Sequence, residues 1–176
     1  MVHRLYWYVI YSTLSMHPLP VDIVLPDLRS ALANYKNIVL SADPGAGKTT
    51  RVPLALLDEA WLSGKKLFML EPRRLAAQRA ATYMSEQLGE KVGGTVGFRI
   101  RGESTVGERT RIEVVTEGVL TRFLQTDPAL PDVGLVIFDE FHERSIHADL
   151  GLALTLNVQE HLRGDLRILK IGRAHV

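Results

Sequence analysis

The chain has 176 residues, 46% of them hydrophobic, and a formal net charge of +1. That is enough apolar material for one well-filled domain and too little charge for a global basic footprint, so any contact with nucleic acid has to be local. Cysteine is absent and the six histidines are scattered, which excludes disulfides and thiolate metal sites, gives no reason to expect structural zinc, and suits a reducing compartment, the cytoplasm.

In chain order, the first feature is the aromatic apolar run from Leu5 to Tyr11 behind His3 and Arg4. It is too short to cross a bilayer and no small-residue cleavage site follows it, so neither a membrane span nor a secretory signal is expected. Residues 1–15 read instead as an extension ahead of a start at Met16. A helix is expected over residues 27–34 and a strand over residues 37–41, around the apolar run Ile38-Val39-Leu40.

Behind that strand stands Ser41-Ala42-Asp43-Pro44-Gly45-Ala46-Gly47-Lys48-Thr49-Thr50. A strand, a turn of small residues and then a helix direct backbone N–H groups and a helix N-terminus at one point, which is how phosphates are held. Asp43, Pro44, Gly45, Ala46, Gly47, Lys48, Thr49 and Thr50 are therefore candidate nucleotide-binding residues, with Lys48 reaching the terminal phosphate and Thr49 a magnesium ion. Ala42 stands where the usual pattern has its first glycine, and a small residue there keeps the loop feasible. The pattern Val52, Leu54, Ala55, Leu56, Leu57 carries a helix over residues 48–62.

Further strands are expected over residues 66–71, 95–100, 111–116, 134–139 and 166–169, and helices over residues 73–88, 117–125 and 147–162. Residues 89–94 and 101–108 are polar and contain glycine, as loops do. Strands alternating with helices give an α/β fold, a mostly parallel sheet with helices on both faces, whose ligands gather at the carboxyl ends of the strands. Behind the apolar Leu135-Val136-Ile137-Phe138 comes Asp139-Glu140-Phe141-His142. Taken alone, such carboxylates are also common as loop residues or helix caps. Paired with Lys48 they supply what phosphoryl transfer to water needs: Asp139 to hold magnesium, with Glu140 beside it, and Glu140 to orient or deprotonate the attacking water. For His142 two readings stand, a residue coupling the phosphate site to a neighbouring domain and a solvated loop histidine.

The order of these motifs resembles the first RecA-like domain, a P-loop NTPase fold, of superfamily 2 helicases of the DExH/DEAH class. Residues 41–50 resemble motif I, Glu71-Pro72-Arg73-Arg74-Leu75-Ala76-Ala77 motif Ia, Thr116-Glu117-Gly118-Val119-Leu120 motif Ib, and Asp139-Glu140-Phe141-His142-Glu143-Arg144-Ser145 motif II. Val96-Gly97-Phe98-Arg99-Ile100-Arg101 is similar to a further segment of that class, and Phe141 replaces the alanine of strict DEAH proteins. The resemblance implies ATP hydrolysis with Mg2+, coupled to movement on single-stranded RNA, and a second RecA-like domain supplying an arginine finger; the alternatives are a DNA helicase or translocase with the same core or, for the isolated fragment, a nucleotide-binding module without turnover. It implies catalytic roles for Lys48, Asp139, Glu140 and His142, and a strand path along Arg73, Arg74, Arg99, Thr116, Glu117 and Gly118. Without it, arginines at helix starts and in loops read as solvated side chains. Tyr83 stands near a position where such relatives carry an arginine stacked on adenine. The resemblance places the domain at residues 16–169. Lys170-Ile171-Gly172-Arg173-Ala174-His175-Val176 replaces the family's Ser-Ala-Thr motif and looks like a translated sequencing adapter. Both end segments are expected at the periphery.

Overall fold

The computed structural model describes residues 8–11, 19–143 and 145–173. An eight-stranded sheet runs through the middle. Its strands are β1 Tyr8–Tyr11, β2 Asn37–Ser41, β3 Lys66–Leu70, β4 Val96–Ile100, β5 Glu103–Thr105, β6 Ile112–Val115, β7 Val133–Phe138 and β8 Arg167–Gly172. Across the sheet they lie in the order β1-β2-β8-β7-β3-β6-β4-β5. Every neighbouring pair is parallel except β4 with β5. Connecting them are α1 Pro20–Asn34, α2 Lys48–Ala55, α3 Arg74–Gln87, α4 Glu117–Thr126 and α5 Ile146–His161.

Alternation along the strands builds two cores. Leu67 and Met69 of β3, Leu135 and Ile137 of β7, and Leu169 and Ile171 of β8 point to one face, where α1, α2 and α3 cover them. Phe68, Leu70, Val136, Phe138 and Ile168 point to the other, against α4 and α5. Strands buried on both faces read as continuous apolar runs, and β7 is buried at all its positions. The expected α/β sheet with helices on both faces is what the chain forms.

Several boundaries differ from the sequence reading, each for a local reason. The helix α1 begins earlier than residue 27, because Pro20 at its first turn costs no hydrogen bond and Val21, Val24 and Leu28 already lie on its buried face. The segment 48–62 is not one helix. Pro53 has no N–H to give the preceding turn, and the Leu56 N–H closes the end by reaching the carbonyls of both Val52 and Pro53, at 3.2 and 3.3 Å. A separate short turn, Ala60–Leu62, follows. The strand β5 lies in the stretch read as a loop; it is short, polar and solvent-facing, so it lacks an apolar alternation to reveal it.

Of the two chain ends, the C-terminal one departs from the expected place at the periphery. β1 lies within residues 1–15, yet it pairs with β2 in register from Tyr8↔Ile38 to Tyr11↔Ser41 at the sheet edge. Lys170, Ile171 and Gly172 continue β8 between β2 and β7, and Ile171 is fully buried. The expected strand over residues 166–169 is therefore longer, because the apolar Ile171 has a core position to fill. Residues 1–7, 12–18, Arg144 and 174–176 lie outside the described residues.

Candidate active site

The carboxyl ends of β2, β8, β7 and β3 line up along one edge, and the candidate residues extend from them. The loop after β2 turns through Gly45 and Gly47, at φ of +77° and +84°, values that glycine adopts without a Cβ penalty. Gly47 then precedes α2, and a Cβ on it would also press on Leu19, at 3.1 Å. Ala42 is buried at the foot of the loop, where its small side chain fits, and its N–H donates to the Gly172 carbonyl at 3.3 Å.

Lys48 is 6% exposed and folds back over this loop, its Nζ donating to the Ala42 and Asp43 carbonyls at 2.6 and 2.7 Å. Burial pulls its pKa down, and the nearby carboxylates of Glu140 and Asp139 oppose that pull. The positive charge of Lys48, bonded to main-chain carbonyls at the mouth of the loop, suits an anion there. Next to it, Thr49 Oγ1 donates to Asp139 Oδ2 at 2.6 Å, a bond spanning 90 residues of sequence. Asp139 is almost wholly buried, which pushes its pKa up to about 6 against the hydrogen bonds from Thr49 and from the Glu140 N–H. A hydroxyl and a carboxylate, both hard oxygen donors, fit a magnesium ion between loop and strand end.

Glu140 has φ of +49°, a left-handed conformation that is costly for a residue with a side chain and that clusters at functional sites. Its Oε2 lies 3.2 Å from His142 Nε2, while His142 Nδ1 is buried without a hydrogen-bond partner among the described residues. His142 thus faces inward beside Gly172, so the solvated-loop reading of this residue does not describe it.

A cleft of about 930 Å³ opens beside these groups, lined by Thr49, Thr50 and Glu140, by Glu71 and Glu143, and by the α3 side chains Arg74, Arg79 and Tyr83. Arg73 lines it too, so both motif Ia arginines stand on the same cleft as the phosphate loop. Arg73 Nη2 donates to Glu143 Oε1 at 2.7 Å. Sequence reasoning assigned no role to Glu71. It sits at the end of β3, next to the end of β7, and burial, with the charges of Asp139, Glu140 and Glu143, raises its pKa to about 8. Only the fold brings these carboxyls together.

The other strand-path candidates lie apart from the cleft. Thr116 precedes α4 with no side-chain cap, Glu117 and Gly118 begin the helix, and the space over Gly118 is open, which leaves amide groups free for a phosphate oxygen. Arg99 is engaged inside the protein: its Nε donates to Glu113 Oε2 at 2.7 Å, its Nη1 to Ser104 Oγ at 3.3 Å, and its guanidinium lies over Phe123. Glu113 is 2% exposed and also binds Lys66. Arg99 therefore lines a separate hollow of about 480 Å³ between β4, β5 and α4.

Known proteins are similar to this chain in sequence and fold. Residues 26–154 match the DEAD/DEAH box helicase family. The chain is 56% identical over 154 residues to the ATP-dependent RNA helicase HrpB of Escherichia coli, covering 88% of this chain and 19% of that protein. It is 32% identical over 151 residues to the ATP-dependent RNA helicase HrpA of Borreliella burgdorferi, covering 86% and 18%. A crystal structure of the E. coli DExH-box NTPase HrpB superposes with a TM-score of 0.87 at 52% identity, over 93% of this chain and 20% of that one. The chain spans about a fifth of the length of these relatives. The phosphate loop joined to Asp139-Glu140, the sheet that carries them and the match over residues 26–154 lead to one assignment: the chain belongs to the DEAD/DEAH box helicase family.

Proposed function

We propose that this chain is the first RecA-like motor domain of an ATP-dependent RNA helicase of the DExH/DEAH class, binding and hydrolysing ATP with magnesium to move on single-stranded RNA. The observation that carries this reading is the 2.6 Å bond from Thr49 to Asp139, which joins the ends of motif I and motif II and supports one metal held between them. Magnesium, when bound, neutralises phosphate charge. Lys48 exchanges its two carbonyl partners for the terminal phosphate oxygens, and the amides from Ala46 to Thr49 hold the others. Asp43, Pro44, Gly45 and Thr50 shape the loop. Glu140 takes or orients the proton of the attacking water, and His142 holds the Glu140 carboxylate in place.

Arg73 and Arg74 grip a sugar-phosphate strand, and the free amides at Glu117 and Gly118 take a second phosphate. Arg99 supports that path from inside, through Glu113. RNA as substrate rests on the printed names of the relatives, ATP-dependent RNA helicases. A second RecA-like domain of the parent protein supplies the arginine finger, and a cysteine-free chain suits the cytoplasm. The test is the ATPase rate of a polypeptide extending this chain over the relatives' full length, measured with oligouridylate and with oligothymidylate. Stimulation by the RNA, lost in Glu140→Gln, is expected. Equal or greater stimulation by DNA contradicts the choice of RNA, and no stimulation by either contradicts the helicase reading.

A further inference from the structure

Between the nucleotide cleft and the start of α4 the chain crosses in one short segment. Glu140 leads through the turn Phe141–Glu143 to Ser145, which precedes α5. Phe141 in its middle packs edge-on against Phe138 and His142 lies beside Gly172, and a side-chain link holds the segment toward each end. At one end is the Arg73–Glu143 pair, whose side chains are 71% and 36% exposed; such a pair holds weakly and yields to a competing anion. At the other end, Ser145 Oγ accepts from the Ala148 N–H at 2.9 Å, capping α5, and donates to Glu117 Oε1 at 2.5 Å. One hydroxyl therefore fastens the start of α5 to the first residue of α4. Ser145 and Glu117 do not line the cleft, so this bond has no part in holding nucleotide.

We propose that Ser145 is a positioning residue that couples strand binding at the start of α4 to the nucleotide site. The proposal rests on the functional reading above, since it takes residues 116–118 as a phosphate contact. A phosphate arriving there sets a negative charge beside the Glu117 carboxylate. Glu117 moves away, and Ser145, bonded to it, moves with it. Ser145 follows the turn closely in sequence, and within the turn the Glu143 N–H donates to the Glu140 carbonyl at 2.8 Å, so the displacement bears on Glu140. Glu140 is already in a costly left-handed conformation, so a small pull shifts its balance between orientations. The coupling is reciprocal: whatever nucleotide does to strand affinity, the strand does to nucleotide affinity.

The test measures the affinity of this chain for a fluorescent, non-hydrolysable ATP analogue with magnesium, with and without saturating oligouridylate. Wild type should show a change of about fivefold or more. Ser145→Gly is tolerated at the α5 N-cap, adds no charge and lacks the donor for Glu117, and should bind each ligand alone within about twofold of wild type while losing the change. Ser145→Thr keeps both bonds and should retain it. Ser145→Ala also lacks the donor; it should lose the change, and it serves if the glycine variant does not fold. Coupling in the donorless variants equal to wild type, or a wild type whose analogue affinity ignores the strand, overturns the proposal. Failure of the functional reading is seen separately, in titrations of each ligand alone: a wild type that binds no nucleotide, or no oligouridylate, has no such sites to couple.

Discussion

The chemistry assigned to Glu140 depends on its carboxylate and not on its shape. Glu140→Gln preserves the length of the side chain and its backbone, at φ of +49°, but removes the base. It should leave ATP bound and slow hydrolysis by about a hundredfold or more, read as single-turnover kinetics in the full-length protein; wild-type turnover would remove Glu140 from the mechanism. Glu71 makes a different prediction. Its folded pKa of about 8 lies above the ordinary 4.5, so the native state holds a proton that the unfolded chain releases. Stability is therefore largest below the lower value, and it declines as pH rises through that window. Glu71→Gln should raise Tm at pH 8 by about 5 °C and change it little at pH 5, measured by thermal melts across the range. Equal pH profiles for the two proteins would contradict the protonated Glu71. The motif letters made Lys48, Thr49 and Asp139 legible, because their chemistry is local to short segments. Glu71 was not, since its partners come from another strand and no spacing in sequence reports that.

Among the elements, the hairpin of β4 and β5 shows what packing demands beyond propensity. A Cβ on Gly97 would lie 2.4 Å from the Thr105 carbonyl oxygen and 2.9 Å from Val106 Cγ1, and a backbone atom cannot turn aside as a side chain does. Gly97→Ala should cost about 2 kcal/mol in urea denaturation; an unchanged midpoint would mean that β5 is not held against β4. Beneath the hairpin, Glu113 joins Lys66 and Arg99. Glu113→Ala should also cost about 2 kcal/mol by the same measurement, less than a wholly buried pair, because both cations keep some access to water. This explains why Arg99, read from the sequence as a strand contact, reaches inward: a basic residue in a motif-like segment cannot announce an acidic partner two strands away. Long helices and apolar strands were legible in type, whereas β5 depended on tertiary pairing and the end of α2 at Ala55 on the local turn at Leu56.

At the scale of the whole molecule, the parallel sheet places β8 between the strand of the phosphate loop and the strand of Asp139. No local pattern in a sequence states such an order, and the α/β alternation alone allows several. Because Ile171 is buried and Gly172 accepts from Ala42, removing residues 170–176 should lower stability by about 2–4 kcal/mol. Removing residues 1–15 deletes, among the described residues, the edge strand β1 and should cost less, the comparison being made by urea denaturation of the three chains. Equal stability on losing residues 170–176 would contradict the central place of β8. The claim on which the rest stands is that loop and strand end form one nucleotide site with Lys48 as its principal cation. Calorimetric titration of folded wild type and Lys48→Ala with magnesium-ATP tests it most directly. The account predicts binding by wild type and a loss of at least about tenfold in the variant, the equivalent of one charge-assisted hydrogen bond, whereas equal affinity in the two proteins would contradict it.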